Sequence, residues 1–417
     1  MTTLAKRAPS DAPLVVRTVV VDDPGPLAAL LPESGRLSWL HRGDGLVAWG
    51  ETARFNAGGP SRFDEAESWW REQARHSVVR DEAQLPGSGL VAFGSFAYAD
   101  EPGDSVLVVP EVVVGRRGDV AWTTMISRGS LPTAPPGSDV SPVRQPQGAT
   151  FSDGAMSGAE WELVVADAVA RIRRGDLDKV VLARDLVAEL AEPLDVRAPV
   201  AQLADQYPAC WTFHVDGLFG ATPEMLVRRE RGLVTSRVLA GTIRRTGDDA
   251  HDLALAATLA RSSKDLEEHE FAVRSVADAL APYCLSMNVP ESPFVLHLPN
   301  VMHLASDVTG VLDAGATSLG LAAALHPTAA VGGTPTPDAV ALIGEIEGMG
   351  RGRYAGPVGW IDADGDGEWG IALRSAEVDG ARVRLFAGCG IVSDSDPEAE
   401  LAEAAAKFIP VRDALSG

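Results

Sequence analysis

The chain has 417 residues, of which 46% are hydrophobic, so it is long enough to bury a large core in one big fold or in two to three domains. Its 58 acidic and 36 basic residues give a net charge of −22, which argues against nucleic acid or an anionic membrane as a partner. No apolar run approaches the roughly 20 residues of a membrane span. The three cysteines, Cys210, Cys284 and Cys389, show no metal-ligand spacing, so we expect a globular protein of the reducing cytoplasm.

Residues 1–150 are predicted to form a scaffold half without a cluster of catalytic residue types. Apolar segments of strand length, such as Leu14–Val21 and Val106–Val114, alternate with Gly, Pro and Asp, and one helix is predicted at Phe63–Arg75. The segment Gly129–Thr150 is rich in Pro, Gly and Ser. This composition predicts a surface loop or linker, either between two domains or between two halves of one fold.

Residues 151–417 contain the segments that carry chemistry. Ser157 opens a capping-box pattern for a helix that should end at Gly175, and a strand is predicted to begin directly afterwards at Lys179. Asp216-Gly217 between two apolar segments is a strong hairpin signal. The second strand of that hairpin leads into Glu224.

Near the C-terminus, the apolar segment Leu385–Val392 contains two glycines and predicts a buried strand that turns sharply or closely approaches a ligand. Asp396-Pro397 then indicates the start of a helix. Spacings of three and four place Glu400, Glu403 and Lys407 on one face of that helix. For an isolated helix, a solvated face with a Glu403–Lys407 pair would be the preferred interpretation.

A second pair of carboxylates, on another predicted helix, argues against a merely solvated helix face. A single long amphipathic helix is predicted over Leu253–Leu280, and it carries Asp265 and Glu268 three residues apart. If the two helices meet, these two carboxylates and those of Glu400 and Glu403 would repel one another unless a divalent cation lies between them. Oxygen ligands of this kind suit Mg²⁺.

Two segments resemble ligand-binding motifs, but their residue spacing does not match those motifs. The segment Asp362–Gly367 opens like a calcium loop, but the twelfth position is Leu373 instead of a glutamate, so a hairpin turn between strands at Tyr354–Trp360 and Glu368–Val378 is the better interpretation. Gly348–Gly352 lacks the spacing of a dinucleotide fingerprint and a convincing preceding strand. It is interpreted as a flexible loop.

The segment from about Ser157 to Leu415 resembles the chorismate-utilising enzymes, which include isochorismate synthase, salicylate synthase and the large subunits of anthranilate and aminodeoxychorismate synthases. The matching segments are Lys179–Arg184, Gly220–Glu224, Ala240–Thr242, Lys264–His269, His326–Thr328, Tyr354–Trp360, Ile371–Ser375 and Ala387–Lys407. The resemblance implies a single large mixed α/β (α+β) fold, with mostly antiparallel sheets covered by helices. Residues 151–417 would be its chorismate-binding, catalytic half.

Two positions separate the branches of this family. Anthranilate-type members have glutamine in place of Lys179, and aminodeoxychorismate-type members have lysine in place of Ala240. The pair found here is similar to isochorismate and salicylate synthases, and His326–Ala330 resembles the former. The resemblance thus implies chorismate as substrate, water as nucleophile and no amidotransferase subunit. The alternatives are a salicylate synthase, which goes on to eliminate pyruvate, and a non-catalytic chorismate-binding subunit. Whether the product feeds menaquinone or a siderophore is left open.

The resemblance also assigns roles to individual residues. Lys179 is implied as the general base and must be neutral to deprotonate water, whereas Glu224 is implied as the general acid and should have a raised pKa. The ligands implied for Mg²⁺ are Glu268, Glu403, Asp265 and Glu400. The residues implied in substrate binding are Gly241, Thr242, His303, Tyr354, Arg374, Gly388 and Lys407.

Overall fold

The computed structural model describes residues 12–101, 104–130 and 141–416. In the first part of the chain, β-branched segments separated by turn residues form strands, as their composition predicts. These strands are β1 (Leu14–Val21), β2 (Arg36–His41), β3 (Asp44–Trp49), β4 (Ala53–Ala57), β5 (Val78–Asp81), β6 (Val91–Ser95), β7 (Ser105–Val109), β8 (Val112–Arg117), β9 (Val120–Arg128) and β10 (Thr150–Asp153). The helix α1 (Arg62–Arg75) lies between β4 and β5. Of the linker predicted at Gly129–Thr150, residues 131–140 lie outside the described residues.

The rest of the chain alternates helices with longer strands. Its helices are α2 (Gly158–Arg173), α3 (Arg197–Gln206), α4 (Asp249–Leu259), α5 (Ser263–Leu280), α6 (Ser318–Leu325), α7 (Thr336–Ile346) and α8 (Pro397–Ser416). Its strands are β11 (Lys179–Glu189), β12 (Trp211–Val215), β13 (Leu218–Thr222), β14 (Met225–Glu230), β15 (Leu233–Arg244), β16 (Cys284–Asn288), β17 (Phe294–His297), β18 (Val301–Leu312), β19 (Gly333–Thr334), β20 (Pro357–Asp362), β21 (Gly367–Ile371), β22 (Ser375–Asp379) and β23 (Arg382–Ile391).

Two large sheets organise these strands. The first has the order β10-β11-β23-β22-β13-β12-β2-β3-β8-β9-β1-β5, with β19 beside β11. The second has the order β16-β18-β15-β14-β21-β20-β6-β7-β4, with β17 beside β18. Apart from β1 with β5, the described strand pairs are antiparallel, which confirms the predicted α+β class.

The main hydrophobic core lies between the two sheets. It includes Trp39 and Phe213 from the first sheet and Phe93 and Trp369 from the second, all at most 1% exposed. A second apolar cluster packs α3 and α8 against the outer face of the first sheet. No helix among the described residues combines the length and apolarity needed to cross a bilayer.

Strands from before and after residue 150 share both sheets. In the first sheet β12 pairs with β2, and in the second β20 pairs with β6. The predicted scaffold half, 1–150, and catalytic half, 151–417, are therefore joined by backbone hydrogen bonds through the interior of both sheets.

The single helix predicted over Leu253–Leu280 is wrong, because the chain forms α4 and α5 with a break at residues 260–262. Ser262 caps α5, and its side chain accepts a hydrogen bond from the backbone N–H of Asp265 at 3.3 Å. A serine cap stabilises a new helix start without disturbing the apolar spacing, so periodicity alone could not detect the break.

The strand predicted over Glu368–Val378 is also divided. Its first part, β21, belongs to the second sheet, and its last part, β22, belongs to the first. Between them Arg374 adopts a left-handed φ of +49°, which ends the extended conformation. The hairpin turn predicted at Asp362–Gly367 is confirmed, because β20 and β21 pair across it.

Candidate active site

Lys179 is the first residue of β11, and its side chain is almost fully buried. The Lys179 Nζ atom donates a hydrogen bond of 2.6 Å to Glu268 Oε1 on α5. The neighbouring strand makes room for this contact through Gly390, where a Cβ atom would lie 2.9 Å from Lys179 Cε and 3.0 Å from Glu268 Oε1. The lysine on the first sheet and the carboxylate on α5 therefore form a buried ion pair.

Glu224 lies where the chain passes from one sheet to the other, between β13 and β14. The residue is only 5% exposed. Burial raises its pKa to about 7, although a backbone hydrogen bond to Leu239 and the nearby charges of Lys179 and Arg374 act in the opposite direction. The raised pKa is the direction that a general acid requires, and it leaves the carboxyl group substantially protonated near neutral pH.

Arg374 occupies the matching connection in the reverse direction, between β21 and β22. Its guanidinium donates a hydrogen bond of 3.3 Å to His303 Nε2, and His303 Nδ1 lies 3.1 Å from the Thr242 hydroxyl. Burial and the charges of Arg374 and Lys407 hold the pKa of His303 well below its ordinary value. The neutral imidazole thus orients an arginine whose positive charge suits a carboxylate ligand.

Backbone geometry opens the cavity at two glycines. Gly241 has a φ of +76° and lies at an irregularity of the β15–β18 pairing, between Ala240 and Thr242. At Gly388, a Cβ atom would meet the backbone oxygen of Leu182 at 2.9 Å. Side chains at either position would narrow the space, so both glycines allow a ligand to approach the backbone closely.

Lys407 projects from α8 toward the same place. Its Nζ donates hydrogen bonds to Gly388 O at 2.9 Å and to Glu403 Oε1 at 2.6 Å. Burial by itself lowers the pKa of Lys407, but the adjacent carboxylate of Glu403 contributes to a net increase. The ammonium group is therefore positively charged at neutral pH. Tyr354 stacks on Phe386 with a centroid separation of 5.0 Å, and burial raises its pKa to about 12.

The four predicted metal ligands come from two helices, with Asp265 and Glu268 on α5 and Glu400 and Glu403 on α8. All four line one cavity. Within the described part of the chain, one set of three potential ligand atoms lies mutually within 4.8 Å, and it combines Glu400 and Glu403 with the Cys389 thiol. Glu268 is instead bound to Lys179. Carboxylate oxygens are suitable ligands for Mg²⁺. The oxygen atoms of these four side chains, however, do not all lie close enough together to coordinate a single ion as they stand.

The thirteen residues assigned from the sequence all line a single cavity of about 170 Å³. A larger groove of about 900 Å³ beside α3 contains none of them. The smaller cavity lies between the two sheets and is closed by α5 and α8. It brings together five carboxylates (Glu224, Asp265, Glu268, Glu400 and Glu403) and four cations (Lys179, Arg351, Arg374 and Lys407).

Sequence reasoning missed Arg351 and Val331 in the wall of this cavity. Arg351 lies in the segment Gly348–Gly352, for which the sequence predicts a flexible loop, yet the residue is 4% exposed and held by several hydrogen bonds. The spacing of four between Glu347 and Arg351 was a usable signal for an ion pair. Nothing in the sequence indicated that this pair is buried.

Comparisons with known proteins place the chain among enzymes that bind chorismate. A family model described as chorismate binding enzyme matches residues 137–416. The isochorismate synthase MenF of Bacillus subtilis (strain 168) is 37% identical over 262 residues, and the match covers 62% of this chain but only 56% of that relative. The salicylate biosynthesis isochorismate synthase of Pseudomonas aeruginosa is 34% identical over 408 residues, covering 91% of this chain and 84% of that protein.

A solved structure extends the similarity to nearly the whole fold. The structure of MenF, the menaquinone-specific isochorismate synthase from Escherichia coli, matches with a TM-score of 0.81 and 26% sequence identity, covering 97% of this chain and 95% of that one. The family model covers well over half of the chain, and the Pseudomonas relative is similar over most of both sequences. The chain therefore belongs to the family of chorismate binding enzymes.

Proposed function

We propose that the protein converts chorismate to isochorismate. Water adds at C2 of the ring, the ring double bonds shift, and the bond between C4 and its hydroxyl group breaks. One proton must leave the attacking water and one must reach the departing hydroxyl. A base on one side of the ring and an acid on the other therefore suffice, without ammonia or an amidotransferase.

Glu224 is the proposed acid and Lys179 the proposed base. This assignment rests on the cavity, which is lined both by a buried lysine and by a carboxyl group whose pKa is raised to about 7. Glu224 gives its proton to the departing C4 oxygen. Lys179 in its neutral form accepts the proton of water, so the ammonium that pairs with Glu268 must first lose its proton.

The cations of the cavity are suited to bind the carboxylates of chorismate. Arg374 and Lys407, together with the backbone N–H groups of Gly241 and Gly388, are proposed to hold the enolpyruvyl carboxylate. Thr242 and His303 keep Arg374 oriented through the contacts described above. Tyr354 lies in the same wall and completes this side of the site.

The carboxylates on α5 and α8 are proposed to hold Mg²⁺. The candidate ligands are Glu268, Glu403, Asp265 and Glu400, because they present hard oxygen atoms to one cavity. When bound, Mg²⁺ would supply positive charge to anchor the ring carboxylate. Lys179 and Glu224 would still carry the proton transfers.

Product analysis tests this function directly. The purified chain is incubated with chorismate and Mg²⁺ at neutral pH without ammonium, and the products are separated by chromatography. Isochorismate is expected from the isolated chain, with Lys179→Ala as the matched inactive control. Salicylate with pyruvate would favour a salicylate synthase, and no turnover would favour a binding subunit.

A further inference from the structure

The strand that carries Lys179 lacks a neighbouring strand along part of one edge. Its other edge is paired with β23 over residues 180–189. On the incomplete edge, β19 pairs only with Lys179 and Val180, and β10 only with residues 186–189. The backbone groups around Val181 and Ala183 therefore need other partners, since a buried peptide group without a hydrogen bond is costly.

Side chains take the place of the missing strand. Arg351 donates from its NH2 group to Val181 O at 2.7 Å, and Glu347 Oε2 accepts from the backbone N–H of Ala183 at 2.9 Å. The Trp161 indole N–H donates to Ala183 O at 3.1 Å. A buried ion pair thus supplies two of the hydrogen bonds that a neighbouring backbone would otherwise make.

The same ion pair joins this strand to a second segment of the cavity lining, at Val331. The Arg351 guanidinium binds both oxygens of Glu347, at 2.7 and 2.5 Å, and its NH1 group donates to Val331 O at 2.8 Å. The ring of Tyr98 covers the guanidinium with its centroid 4.3 Å from Arg351 Cζ. Val181 and Val331 both line the cavity, so one guanidinium fixes the separation of two of its walls.

We propose that Glu347 and Arg351 form a positioning pair for Lys179, an inference that rests on the proposed function. Lys179 and Val181 are two residues apart on one strand, so their side chains point to the same face. Holding the carbonyl of Val181 in place therefore fixes where the lysine amine meets the substrate. Neither Glu347 nor Arg351 is required to touch chorismate for this role.

Arg351→Lys is the decisive variant, because lysine keeps the charge but lacks the planar fork that reaches Glu347 and two carbonyl groups at once. We expect kcat on chorismate to fall about 10- to 100-fold while KM changes less than about threefold, since a small displacement of a catalytic group costs this much. Glu347→Gln, which removes the charge at nearly constant shape, should lower kcat in the same way and serves if the first variant folds poorly.

The control is Arg197→Lys. Arg197 forms an equally buried ion pair with Asp195 and donates to the backbone oxygen of Ser141, but it lies outside the catalytic cavity. Its replacement should destabilise the fold to a similar degree, measured as Tm, and leave kcat within about twofold of the wild type because it touches neither wall of the cavity.

A double variant distinguishes a positioning effect on Lys179 from a general disruption of the structure. In the Lys179→Ala background, Arg351→Lys should lower the residual activity no further, because residues that act through one group are not additive. The same loss in both backgrounds, or an unchanged kcat in Arg351→Lys, would overturn the inference. A wild-type chain that leaves chorismate unchanged would instead refute the proposed function itself.

Discussion

The Glu268 carboxylate is bound to Lys179, the group that must be neutral in the proposed reaction. This carboxylate accepts a hydrogen bond from Lys179 and is also a proposed Mg²⁺ ligand. The two groups are 2.6 Å apart. If Mg²⁺ binds as proposed, Lys179 and the metal would compete for this one carboxylate, which would couple proton transfer to metal binding.

Glu224 should make the stability of the fold depend on pH. The pKa of this carboxyl group is raised from 4.5 to about 7 in the folded chain, so the folded state binds the proton more tightly than the unfolded state. The contribution to the free energy of unfolding is fully present below pH 4.5 and is lost as pH rises through 7.

Glu224→Gln removes this titration. We expect the variant to be more stable than the wild type at about pH 8, by at most roughly 3 kcal/mol, and the difference to vanish at about pH 4. Chemical denaturation at both pH values measures it. A stability difference that stays constant between the two pH values would show that the carboxyl group has an ordinary pKa.

Lys179→Ala and Glu224→Ala should each lower kcat by about 10²- to 10⁴-fold, the usual range for a general base or acid. KM should change far less, because neither side chain is proposed to hold a carboxylate. The double variant should lose less than the product of the two single losses, because both groups act in one displacement. Steady-state kinetics of the four proteins provides the comparison, and full additivity would count against a concerted pair.

Two connections that cross between the sheets position Glu224, the proposed acid, and Arg374. Strand β13 pairs with β22, and β14 pairs with β21, so the links β13–β14 and β21–β22 lie side by side. Glu224 lies on the first link and Arg374 on the second, and the carbonyl of Arg374 accepts from the N–H of Ala221 at 3.2 Å. Both side chains are buried and line the same cavity.

Gly390→Ala tests how closely β23 and β11 must approach. The new methyl group would meet the ends of two flexible side chains, Lys179 and Glu268, so the fold should persist while the amine is displaced. We expect kcat to fall about 10- to 100-fold with little change in Tm. Gly344→Ala, inside α7 with open space around the added atom, is the matched control and should retain activity and gain about 0.5–1 kcal/mol. A wild-type kcat in Gly390→Ala would show that close approach of β23 to the Lys179 side chain is not required for activity.

For the whole molecule, the net charge of −22 would oppose the binding of the proposed dianionic substrate. The conflict is local, because the cavity holds four cations whose fields act over a few ångströms in a poorly solvated space. A divalent cation would add further positive charge. The overall acidity therefore bears on solubility and on nonspecific partners more than on this site.

Mg²⁺ should stabilise the whole fold by mass action. At a concentration of 100 times its Kd, a ligand that binds only the folded state contributes about 2.7 kcal/mol, and the resulting rise in Tm is measurable by calorimetry. We expect Glu403→Gln to lose most of this rise together with activity. Glu398→Gln, an exposed residue on the same helix, should behave like the wild type. An unchanged Mg²⁺ response in Glu403→Gln would remove it from the ligand set.

Local features that depend on neighbouring residues could be predicted from the sequence. The capping box at Ser157, the hairpin at Asp216-Gly217 and the helix start at Pro397 all appear where turn and cap chemistry predicted them. The thirteen site residues assigned from the sequence also all line the cavity, although other lining residues, such as Arg351 and Val331, were not predicted. Each of these sequence signals involves residues that are only a few positions apart in the chain.

Features that depend on contacts between distant segments could not be predicted from the sequence and are visible only in the folded chain. The break before α5, the division between β21 and β22, and the pairing of Lys179 with Glu268 result from packing, which periodicity does not record. The same holds for Arg351, whose burial depends on a strand 170 residues away. Hydrogen-bond partners across the sheets depend on the fold as a whole, because most buried polar groups pair with whichever group the folded chain brings close.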